Sequence, residues 1–420
     1  MNQLLHPFSP RGNVRIPPSK SAAHRAILCA GLAEGKSRIR NIAYSQDIRA
    51  TIAGIRTLGA EATEFSDSLE ITGAPLFSRP YGKLEFDCGE SGSTLRFLLP
   101  LAALTGAECR FTGRGRLLER PQSVYESLFS GGEFFHTPQE IRLKGGLSAG
   151  EWSLRGDVSS QFITGLLFSL PLLDRPSRIR IQPPFESRSY VTLTLRILAD
   201  FGVQAAFSDP LTLEIPGGQR FRPSDYTVEG DDSQMAFFGA LGSIRGGVSC
   251  TGLRPDSVQG DRVILSILRE FGAKITEEAG MVFFEPGRLQ GKDIDLADCP
   301  DLGPILMVLG AFAEGETRIL HAGRLRLKES DRIAAMESEL RKLGVDISSD
   351  LDTVWIRGRQ PLTAPAEVCA QNDHRIAMSL AVFAACAEQP VNIIGSECVA
   401  KSYPAFWEDF TSLMPEKGGL

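Results

Sequence analysis

At 420 residues the chain is longer than the roughly 300 residues at which a single hydrophobic core usually stops growing, so we expect two domains. Hydrophobic residues make up 42% of the chain and charged residues 23%, which is ordinary for a soluble globular protein. The net charge of −6, from 45 basic and 51 acidic residues, argues against a general nucleic-acid surface. Any anion site must therefore be a local concentration of Lys and Arg.

The eight cysteines are scattered through the chain, and none has the C-x-x-C spacing or the accompanying His that a zinc site needs. We expect reduced, buried thiols and no metal. The N-terminus lacks the apolar region of a signal peptide, and apolar runs such as 163–173 are too short or too interrupted to span a bilayer. The sequence therefore predicts a soluble cytoplasmic protein without a membrane partner.

The segment Pro17–Arg25 opens the first predicted helix. Its two prolines oppose a helix and residues 22–32 favour one, so that Ser19 or Ser21 lies where the helix begins. Lys20, Ser21 and Arg25 then surround the positive end of a helix dipole, where free backbone N–H groups can bind an oxyanion. The alternative is a capped surface helix with solvated charges.

A pattern recurs along the chain with a period of about 70 residues. Predicted helices end in Leu-Gly or Phe-Gly before a short strand, and the segment 129–131 is a looser copy. The glycines at 59, 131, 202, 272 and 344 lie 70 to 72 residues apart, and 410–420 ends the chain where a sixth copy would fall. We expect these glycines to end their helices in the left-handed conformation.

Each repeat has the same predicted order of elements. A first helix starts near residue 20, 92, 160, 233, 302 or 374, and a second, amphipathic helix such as 332–343 follows a polar loop. The strands between the two helices are Ser37–Asn41, Ala107–Thr112, Ser177–Ile181, Gly247–Thr251, Glu316–Leu320 and Pro390–Ile394. Further short strands at 68–71, 211–215 and 353–356 complete the unit. The fold class is α/β, built from six βαβαββ-like modules, three in each domain.

The domain boundary is predicted after the third repeat, near Tyr226–Glu229, where Pro223-Ser224-Asp225 has a linker-like composition. The chain begins with a strand-like segment before Lys20. Spacing alone leaves open whether the residues before about 15 join the second domain.

Polar and charged residues recur at equivalent positions of the repeats. The first-helix starts carry Lys20-Ser21-x-x-x-Arg25, Ser91-Gly92-Ser93-Thr94-x-Arg96, Ser159-Ser160-Gln161, Asp231-Asp232-Ser233-Gln234, Asp301 and Asn372-Asp373-His374-Arg375. The loops before the second helices carry Asp47, Arg114-x-Arg116-x-x-Glu119-Arg120, Ser187-Arg188-Ser189-Tyr190, Arg254-Pro255-Asp256, Arg324-x-Arg326-x-Lys328-Glu329-Ser330-Asp331-Arg332 and Lys401-Ser402-Tyr403. Singly, each pattern fits a turn, an N-cap or a solvated charge run. Their shared register predicts one polar face on each domain and a cleft where two such faces meet.

The residue types of these faces suit small anionic substrates. Arginines bind carboxylate or phosphate in a bidentate manner, and helix starts with serines bind phosphate monoesters. Carboxylates, His374 and lysines supply acid–base groups whose pKa values neighbouring charges can shift. The chain has no Walker or G-x-G-x-x-G pattern, so we expect chemistry without a metal or an organic cofactor.

These motifs resemble those of the 5-enolpyruvylshikimate-3-phosphate synthase family over essentially the full chain. The resemblance is carried by Pro18-Ser19-Lys20-Ser21-x-x-x-Arg25, Gly89–Arg96, Glu119-Arg120-Pro121, Ser159-Ser160-Gln161, Leu327–Arg332, Asp373-His374-Arg375 and Lys401-Ser402-Tyr403-Pro404. It implies a two-domain inverse α/β prism whose first domain (15–227) is inserted in the second (1–14 and 228–420), with the active site in the interdomain cleft. We expect the protein to act as a monomer.

The resemblance implies transfer of the enolpyruvyl group of phosphoenolpyruvate to the 5-hydroxyl of shikimate 3-phosphate, through a tetrahedral intermediate that releases phosphate. The implied shikimate-3-phosphate contacts are Lys20, Ser21, Arg25, Ser159, Ser160, Gln161, Ser187, Tyr190, Asp301 and Lys328. The implied phosphoenolpyruvate contacts are Lys20, Gly92, Arg96, Arg120, Gln161, Arg332, His374, Arg375 and Lys401. Lys20 is expected to be catalytic as well, with Asp301 as the base for the hydroxyl and Glu329 as the group that exchanges a proton with the methylene carbon.

Two alternatives remain open at this point. The sister activity transfers the enolpyruvyl group to a UDP-amino sugar, but its family has a catalytic Cys in the loop corresponding to 114–120, and this loop has none. A non-catalytic anion-binding protein on the same scaffold would have no use for both Asp301 and Glu329.

Overall fold

A computed structural model of the chain describes residues 1–129, 131–358 and 365–415. The helices in these ranges are α1 Lys20–Leu32, α2 Gln46–Thr57, α3 Gly92–Leu104, α4 Ser123–Leu128, α5 Ser160–Ser169, α6 Arg188–Asp200, α7 Asp232–Arg245, α8 Ile264–Phe271, α9 Gly303–Phe312, α10 Arg332–Lys342, α11 His374–Cys386 and α12 Phe406–Ser412. The longest, α7, has 14 residues, and no helix in the described ranges combines the length and apolar character that a membrane span requires.

The strands of the described ranges are short. They are β1 Asn2–Leu5, β2 Gly12–Arg15, β3 Gly35–Arg40, β4 Glu61–Glu64, β5 Ser68–Gly73, β6 Leu84–Asp87, β7 Cys109–Thr112, β8 Glu133–His136, β9 Ile141–Lys144, β10 Glu151–Arg155, β11 Ser177–Gln182, β12 Ala206–Asp209, β13 Thr212–Ile215, β14 Asp225–Thr227, β15 Val248–Thr251, β16 Lys274–Glu278, β17 Met281–Glu285, β18 Asp293–Asp295, β19 Glu316–Leu320, β20 Asp346–Ser349, β21 Val354–Arg357, β22 Ala366–Cys369 and β23 Val391–Ile394.

The described strands form six sheets, of which five have four strands arranged in one pattern. In the sheet β6-β7-β9-β8, β6 pairs in parallel with β7, and β9 pairs antiparallel with both β7 and β8. Parallel neighbours need a crossover connection, which α3 supplies, and α4 then leads into the β8–β9 hairpin. The sheets β10-β11-β13-β12 and β18-β19-β21-β20 repeat this order and these directions. The predicted α/β fold of repeated βαβαββ modules is confirmed.

Two modules exchange their leading strands. β2 runs into α1 but pairs in parallel with β15 of the fourth module, and β14 runs toward α7 but pairs in parallel with β3 of the first. The corresponding sheets are β16-β17-β15-β2 and β14-β3-β5-β4. In the sixth sheet, β1-β23-β22, the N-terminal strand β1 pairs antiparallel with β23. In each exchange, the leading strand joins one sheet, and the helix that follows it in the chain belongs to the module of another sheet.

The chain accordingly divides into two compact units. The inserted unit comprises Pro18–Val228, and the discontinuous unit comprises Met1–Pro17 together with Glu229–Leu420. The breaks fall directly after β2 and β14, because each of these strands stays with the sheet that it completes. Three modules belong to each unit.

The first helix of each module forms the core of its unit. Eleven of the 13 residues of α1 are buried, and all 13 residues of α11 are buried. α3 packs against α5 in the inserted unit, and α7, α9 and α11 pack against one another in the discontinuous unit. The second helices bury one face only, as α10 does with Ile333, Met336 and Leu340. The predicted amphipathic helix is confirmed.

Four of the five predicted glycine caps are confirmed. Gly59, Gly202, Gly272 and Gly344 have φ values of 105°, 78°, 105° and 79° and lie within two residues of the ends of their helices. The prediction is wrong for Gly131, which does not have a left-handed φ. The short helix α4 already ends at Leu128 with Phe129 as its cap. The preceding residue 130 and residues 416–420 of the sixth copy lie outside the described residues.

The cysteines fit the prediction of buried thiols. All eight are free, and seven are buried, whereas Cys369 is half-buried. Burial raises the pKa of several of these thiols, including that of Cys386 to about 12, so the protonated form is favoured there.

Candidate active site

The N-terminus of α1 has the cap that the sequence predicts. The hydroxyl of Ser19 accepts a hydrogen bond from the backbone N–H of Ala22 at 3.4 Å, and the helix begins at Lys20. Nζ of Lys20 lies 2.7 Å from Oδ2 of Asp47 in the first turn of α2, and both side chains are largely buried. Asp47 therefore holds Lys20 in place. The sequence shows Asp47 in the equivalent loop position but assigns it no role.

Arg25 joins three helices of the inserted unit. Its guanidinium is buried and donates to the hydroxyl of Thr194 at 2.8 Å and to the carbonyl oxygens of Ser21 and Tyr190 at 2.7 and 3.2 Å. It also lies 5.3 Å from the centre of the Phe97 ring. Burial lowers the pKa of Arg25 to about 10, so the side chain is still a cation at neutral pH. Arg25 thus places a fixed positive charge beside the starts of α1 and α6.

Arg96 and Gln161 connect α3 with α5. Nη1 of Arg96 donates to Oε1 of Gln161 at 2.7 Å, and Nη2 donates to the carbonyl oxygen of Pro121 at 3.1 Å. Nε2 of Gln161 in turn donates to the hydroxyl of Ser93 at 3.1 Å. The guanidinium lies 4.7 Å from the centre of the Phe162 ring. Two residues that the sequence places in different repeats are therefore in direct contact.

Gly92 is the point of closest approach in this group. A Cβ atom at Gly92 would lie 2.9 Å from Nη1 of Arg120 and 3.3 Å from Oε1 of Gln161. The absence of a side chain lets the guanidinium of Arg120 lie against the start of α3. The structure thus brings Gly92, Arg96, Arg120 and Gln161 together.

The predicted serines lie at the starts of α5 and α6. Ser159 caps α5 by accepting a hydrogen bond from the backbone N–H of Gln161 at 3.3 Å, and Ser160 is the first helical residue. Ser187 precedes α6 with a φ of 55°, and Tyr190 lies in the first turn of that helix. Helix starts of this kind present backbone N–H groups suited to an anion.

Asp301 contacts three cations of the discontinuous unit. Its carboxylate lies 2.8 Å from Nη2 of Arg375, 3.2 Å from Nη1 of Arg332 and 3.6 Å from Nζ of Lys328. Burial alone would raise the pKa of Asp301, but Arg375, Lys328 and Arg332 together hold it far below its usual range. The free protein therefore holds Asp301 as an ionised carboxylate.

Arg332 binds three carboxylates at once. It donates to Asp373 at 2.8 Å, to Glu329 at 2.7 Å and to Asp301 at 3.2 Å, and its side chain is 1% exposed. Its burial is offset by these three negative charges, which raise its pKa above the ordinary value. Arg332 is thus held as a buried cation beside both of the predicted catalytic carboxylates.

Asp373 belongs to this group although the sequence alone assigns it no role in the site. It is fully buried, caps α11 by accepting from the backbone N–H of Arg375 at 2.9 Å, and accepts from the hydroxyl of Ser330 at 3.0 Å. Despite the opposing effect of burial, Arg332 lowers the pKa of Asp373. Its position immediately before the predicted helix at 374 was the available signal, since Asp is a preferred N-cap.

The remaining predicted residues of the discontinuous unit surround Asp301 and the start of α11. Arg375 also donates to the backbone oxygen of Asp301 at 3.1 Å and to the hydroxyl of Ser233 at 3.0 Å. Nζ of Lys401 donates to the carbonyl oxygen of Asn372 at 2.7 Å. His374 is the buried first residue of α11.

Each unit therefore holds a cluster of predicted residues. We call Lys20, Arg25, Gly92, Arg96, Arg120, Ser159, Ser160, Gln161, Ser187 and Tyr190 the inserted-unit cluster. We call Asp301, Lys328, Glu329, Arg332, Asp373, His374, Arg375 and Lys401 the discontinuous-unit cluster. The first has cations, serines and helix starts that suit anion binding. The second has cations of the same kind together with carboxylates, and so it also has groups that can move protons.

Comparison with known proteins agrees with this chemistry. The family profile for EPSP synthase (3-phosphoshikimate 1-carboxyvinyltransferase) matches residues 8–410. The chain is 43% identical over 414 residues to a 3-phosphoshikimate 1-carboxyvinyltransferase of Clostridium kluyveri, covering 97% of this chain and 96% of that one. A protein of the same name from Clostridioides difficile is 41% identical over 423 residues, with the same coverage.

Solved structures share the fold at lower identity. An EPSP synthase from Acinetobacter baumannii superposes with a TM-score of 0.81 at 24% identity, covering 98% of both chains. The enolpyruvyl transferase NikO from Streptomyces tendae superposes with a TM-score of 0.78 at 19% identity, covering 98% of this chain and 97% of that one.

Proposed function

Because the chain belongs to the EPSP synthase (3-phosphoshikimate 1-carboxyvinyltransferase) family, we propose that it transfers the enolpyruvyl group of phosphoenolpyruvate to the 5-hydroxyl of shikimate 3-phosphate. The products are 5-enolpyruvylshikimate 3-phosphate and inorganic phosphate. The observation that carries this proposal is the contact of one buried guanidinium, Arg332, with Asp301 and Glu329 together. An anion-binding cation then lies beside two candidate proton-transfer groups, one for each of the two substrates.

We propose that both clusters serve one reaction. Shikimate 3-phosphate would bind to Lys20, Ser21, Arg25, Ser159, Ser160, Gln161, Ser187, Tyr190, Asp301 and Lys328. Phosphoenolpyruvate would bind to Lys20, Gly92, Arg96, Arg120, Gln161, Arg332, His374, Arg375 and Lys401. Phosphate and carboxylate oxygens accept several charge-assisted hydrogen bonds each, which the guanidinium groups and helix starts of both clusters supply.

The reaction consists of an addition and an elimination. In the addition, Asp301 would accept the proton of the 5-hydroxyl as its oxygen bonds to the central carbon of phosphoenolpyruvate, and Glu329 would deliver a proton to the methylene carbon. In the elimination, phosphate would leave the tetrahedral intermediate with the proton that Asp301 holds, and a proton of the new methyl group would return to Glu329, so that both carboxylates are restored. Two carboxylates can perform opposite proton transfers when their surroundings differ, and Asp301 is held ionised by three cations.

Substrate binding would make Asp301 a better base. Its low pKa in the free protein comes from Arg375, Lys328 and Arg332, which no substrate anion shares there. A bound phosphate or carboxylate would share these cations and so would weaken their effect on Asp301. The pKa of Asp301 would then rise toward the range in which it can take up a proton from a hydroxyl.

The proposal is tested by an assay of phosphate release with both substrates. We expect release only when phosphoenolpyruvate and shikimate 3-phosphate are present together, with formation of the enolpyruvyl ether by mass spectrometry. Release from phosphoenolpyruvate alone would indicate a phosphatase. Replacing shikimate 3-phosphate by UDP-N-acetylglucosamine tests the sister activity, and binding of both anions without turnover would indicate an anion-binding protein.

We propose further that the protein acts as a cytoplasmic monomer on small molecules, without a nucleic-acid or membrane partner. The acidic net charge supports the absence of nucleic acid. Light scattering on the purified protein, with and without substrates, tests the monomeric state.

A further inference from the structure

The turn before α11 has a backbone conformation that its sequence does not favour. Gln371 and Asn372 have φ values of 51° and 54°, and the backbone N–H of Asp373 donates to the carbonyl oxygen of Ala370 at 2.9 Å. A turn with both central residues at positive φ is typical of type I′, which favours Gly, Asn and Asp. Gln is not among the favoured residues, so the turn depends on contacts from outside it.

Glu339 of α10 supplies such contacts. Its side chain is fully buried, Oε2 accepts from the backbone N–H of Cys369 at 2.9 Å, and Oε1 accepts from Nε2 of Gln371 at 3.2 Å. Nζ of Lys342 donates to Oε2 at 2.7 Å and balances the charge. A carboxylate is tolerated in the interior only when it is paired and hydrogen-bonded. Of these three partners, Gln371 lies in the turn and Cys369 lies just before it.

The same turn holds two cations of the discontinuous-unit cluster. The carbonyl oxygen of Asn372 accepts from Nζ of Lys401 at 2.7 Å, and the carboxylate of Asp373 accepts from Nε of Arg332 at 2.8 Å. A change in the path of the turn would therefore move the acceptors of Lys401 and Arg332 together.

We infer that Glu339 is a positioning residue for phosphoenolpyruvate: it holds the 370–373 turn so that Lys401 and Arg332 keep their places, without itself touching a substrate. This inference rests on the proposed function. A residue that only stabilised the fold would affect both substrates alike. A residue that positions the turn affects the substrate that Lys401 and Arg332 bind.

The variant Glu339→Gln tests this role. The amide is neutral and has one acceptor oxygen instead of two, so the charge-assisted bonds from Cys369 and Lys342 are weakened, and the Gln371 amide must turn over to keep its own bond. We expect the KM for phosphoenolpyruvate to rise by about 10- to 100-fold, with kcat and the KM for shikimate 3-phosphate changing by less than about threefold.

Glu337→Gln is the matched control. Glu337 lies on the same helix, and its carboxylate accepts from Nη2 of Arg341 at 2.5 Å and from the hydroxyl of Ser349. Within the described ranges it makes no hydrogen bond or ion pair with the 369–373 segment. We expect both KM values to stay within about twofold of the parent.

Exchanging the two groups provides a rescue. In Glu339→Gln with Gln371→Glu, the carboxylate and the amide change places, and a charge-assisted hydrogen bond between them can form again. We expect the KM for phosphoenolpyruvate to recover most of its loss. If Glu339→Gln does not fold, Gln371→Ala removes the exposed partner alone and is expected to raise this KM by about three- to tenfold.

Backbone hydrogen exchange at 369–373 separates this inference from the proposed function. We expect faster exchange there in Glu339→Gln than in Glu337→Gln, whatever reaction the protein catalyses. An unchanged KM for phosphoenolpyruvate with unchanged exchange overturns the inference, and so do equal increases in both KM values without rescue. A parent protein that releases no phosphate from the two substrates refutes the proposed function, and exchange at the turn then decides whether Glu339 positions it.

Discussion

Asp232 links pH to the stability of the discontinuous unit. It is the first residue of α7 and is 1% exposed, and its Oδ1 lies 3.5 Å from Nη1 of Arg262. Burial raises the pKa of Asp232 to about 8; Arg262 opposes this shift, and Asp231, Glu229 and Asp261 add to it. Its Oδ2 has no hydrogen-bond partner in the described ranges. The ionised form of Asp232 is therefore disfavoured in the folded state.

The sign of the pH effect follows from this raised pKa. Between its ordinary value of 3.8 and about 8, the folded protein keeps a proton on Asp232 that the unfolded chain releases. The free energy of unfolding therefore falls as pH rises through this window and levels off above it. Each pKa unit corresponds to about 1.4 kcal/mol, so the unfolding free energy can fall by at most about 6 kcal/mol over the full shift.

Asp232→Asn should remove this dependence. The amide has the size of the carboxyl group and cannot ionise. Because it remains a buried polar group, the substitution restores only part of the unfolding free energy that the parent loses at high pH. We expect the variant to be more stable than the parent by about 2–4 kcal/mol near pH 9 and to differ by less than about 1 kcal/mol near pH 5. Urea unfolding at several pH values measures this difference, with the transition of the discontinuous unit followed separately if the two units do not unfold together.

Asp256→Asn serves as the control, because Asp256 is mostly exposed and belongs to the same unit. Its substitution should alter the free energy of unfolding by less than about 0.5 kcal/mol at either pH. The reasoning would be refuted if Asp232→Asn were less stable than the parent near pH 9, or if its stability difference did not change with pH.

Three further predictions concern the two clusters. Arg120→Ala should weaken phosphoenolpyruvate binding by about 1.5–3 kcal/mol in calorimetry and leave shikimate-3-phosphate binding nearly unchanged; the reverse pattern would contradict its assignment. Gly92→Ala should raise the KM for phosphoenolpyruvate about tenfold, since the new Cβ would lie 2.9 Å from Nη1 of Arg120, and equal effects on both KM values would contradict this. Asp301→Asn should lower kcat by about 10²–10⁴-fold in the phosphate-release assay, and a kcat near that of the parent would exclude it as the base.

The repeat could be predicted from the sequence because its signals are local. A capping serine or aspartate, an apolar helix and a terminal glycine act within a few residues of one another, and their period is visible in one chain. α1 begins at Lys20 behind the Ser19 cap, and β19 spans 316–320 as predicted. The signal failed at Gly131, where α4 is only six residues long and ends before the glycine.

The partners of the site residues could not be predicted in the same way. Glu339 contacts residues 30 and 32 positions later in the chain, and Asp47 contacts a residue 27 positions earlier. Their types are common on helix surfaces, and only the packing of the folded chain makes them partners of the turn and of Lys20. The contacts of Glu339 join neighbouring modules, whereas that of Asp47 joins the two helices of the first module. The exchange of β2 and β14 could not be predicted from the order of elements along the chain, because that order does not show which sheet a strand completes.

The contacts of Arg332 suggest how Glu329 becomes a proton donor. The bond from Arg332 to Asp373 joins two fully buried side chains, whereas the Glu329 side chain is 17% exposed. A phosphate or carboxylate arriving at Arg332 would therefore displace Glu329 more readily than Asp373. Glu329 would then lose its ion pair with Arg332 at the moment when the methylene carbon needs a proton.

Infrared difference spectra can test this exchange of partners. Adding shikimate 3-phosphate with an unreactive mimic of phosphoenolpyruvate should produce the carbonyl band of one protonated carboxyl group, and the band should be absent in Glu329→Gln. The same variant should lower turnover by about 10²–10⁴-fold and slow the entry of solvent deuterium into the methylene group of phosphoenolpyruvate. A band that persists in Glu329→Gln, or deuterium entry at the parent rate, would assign the proton to another group. Since Glu329→Gln removes the charge but keeps the size of the side chain, neither result could be attributed to an altered cavity.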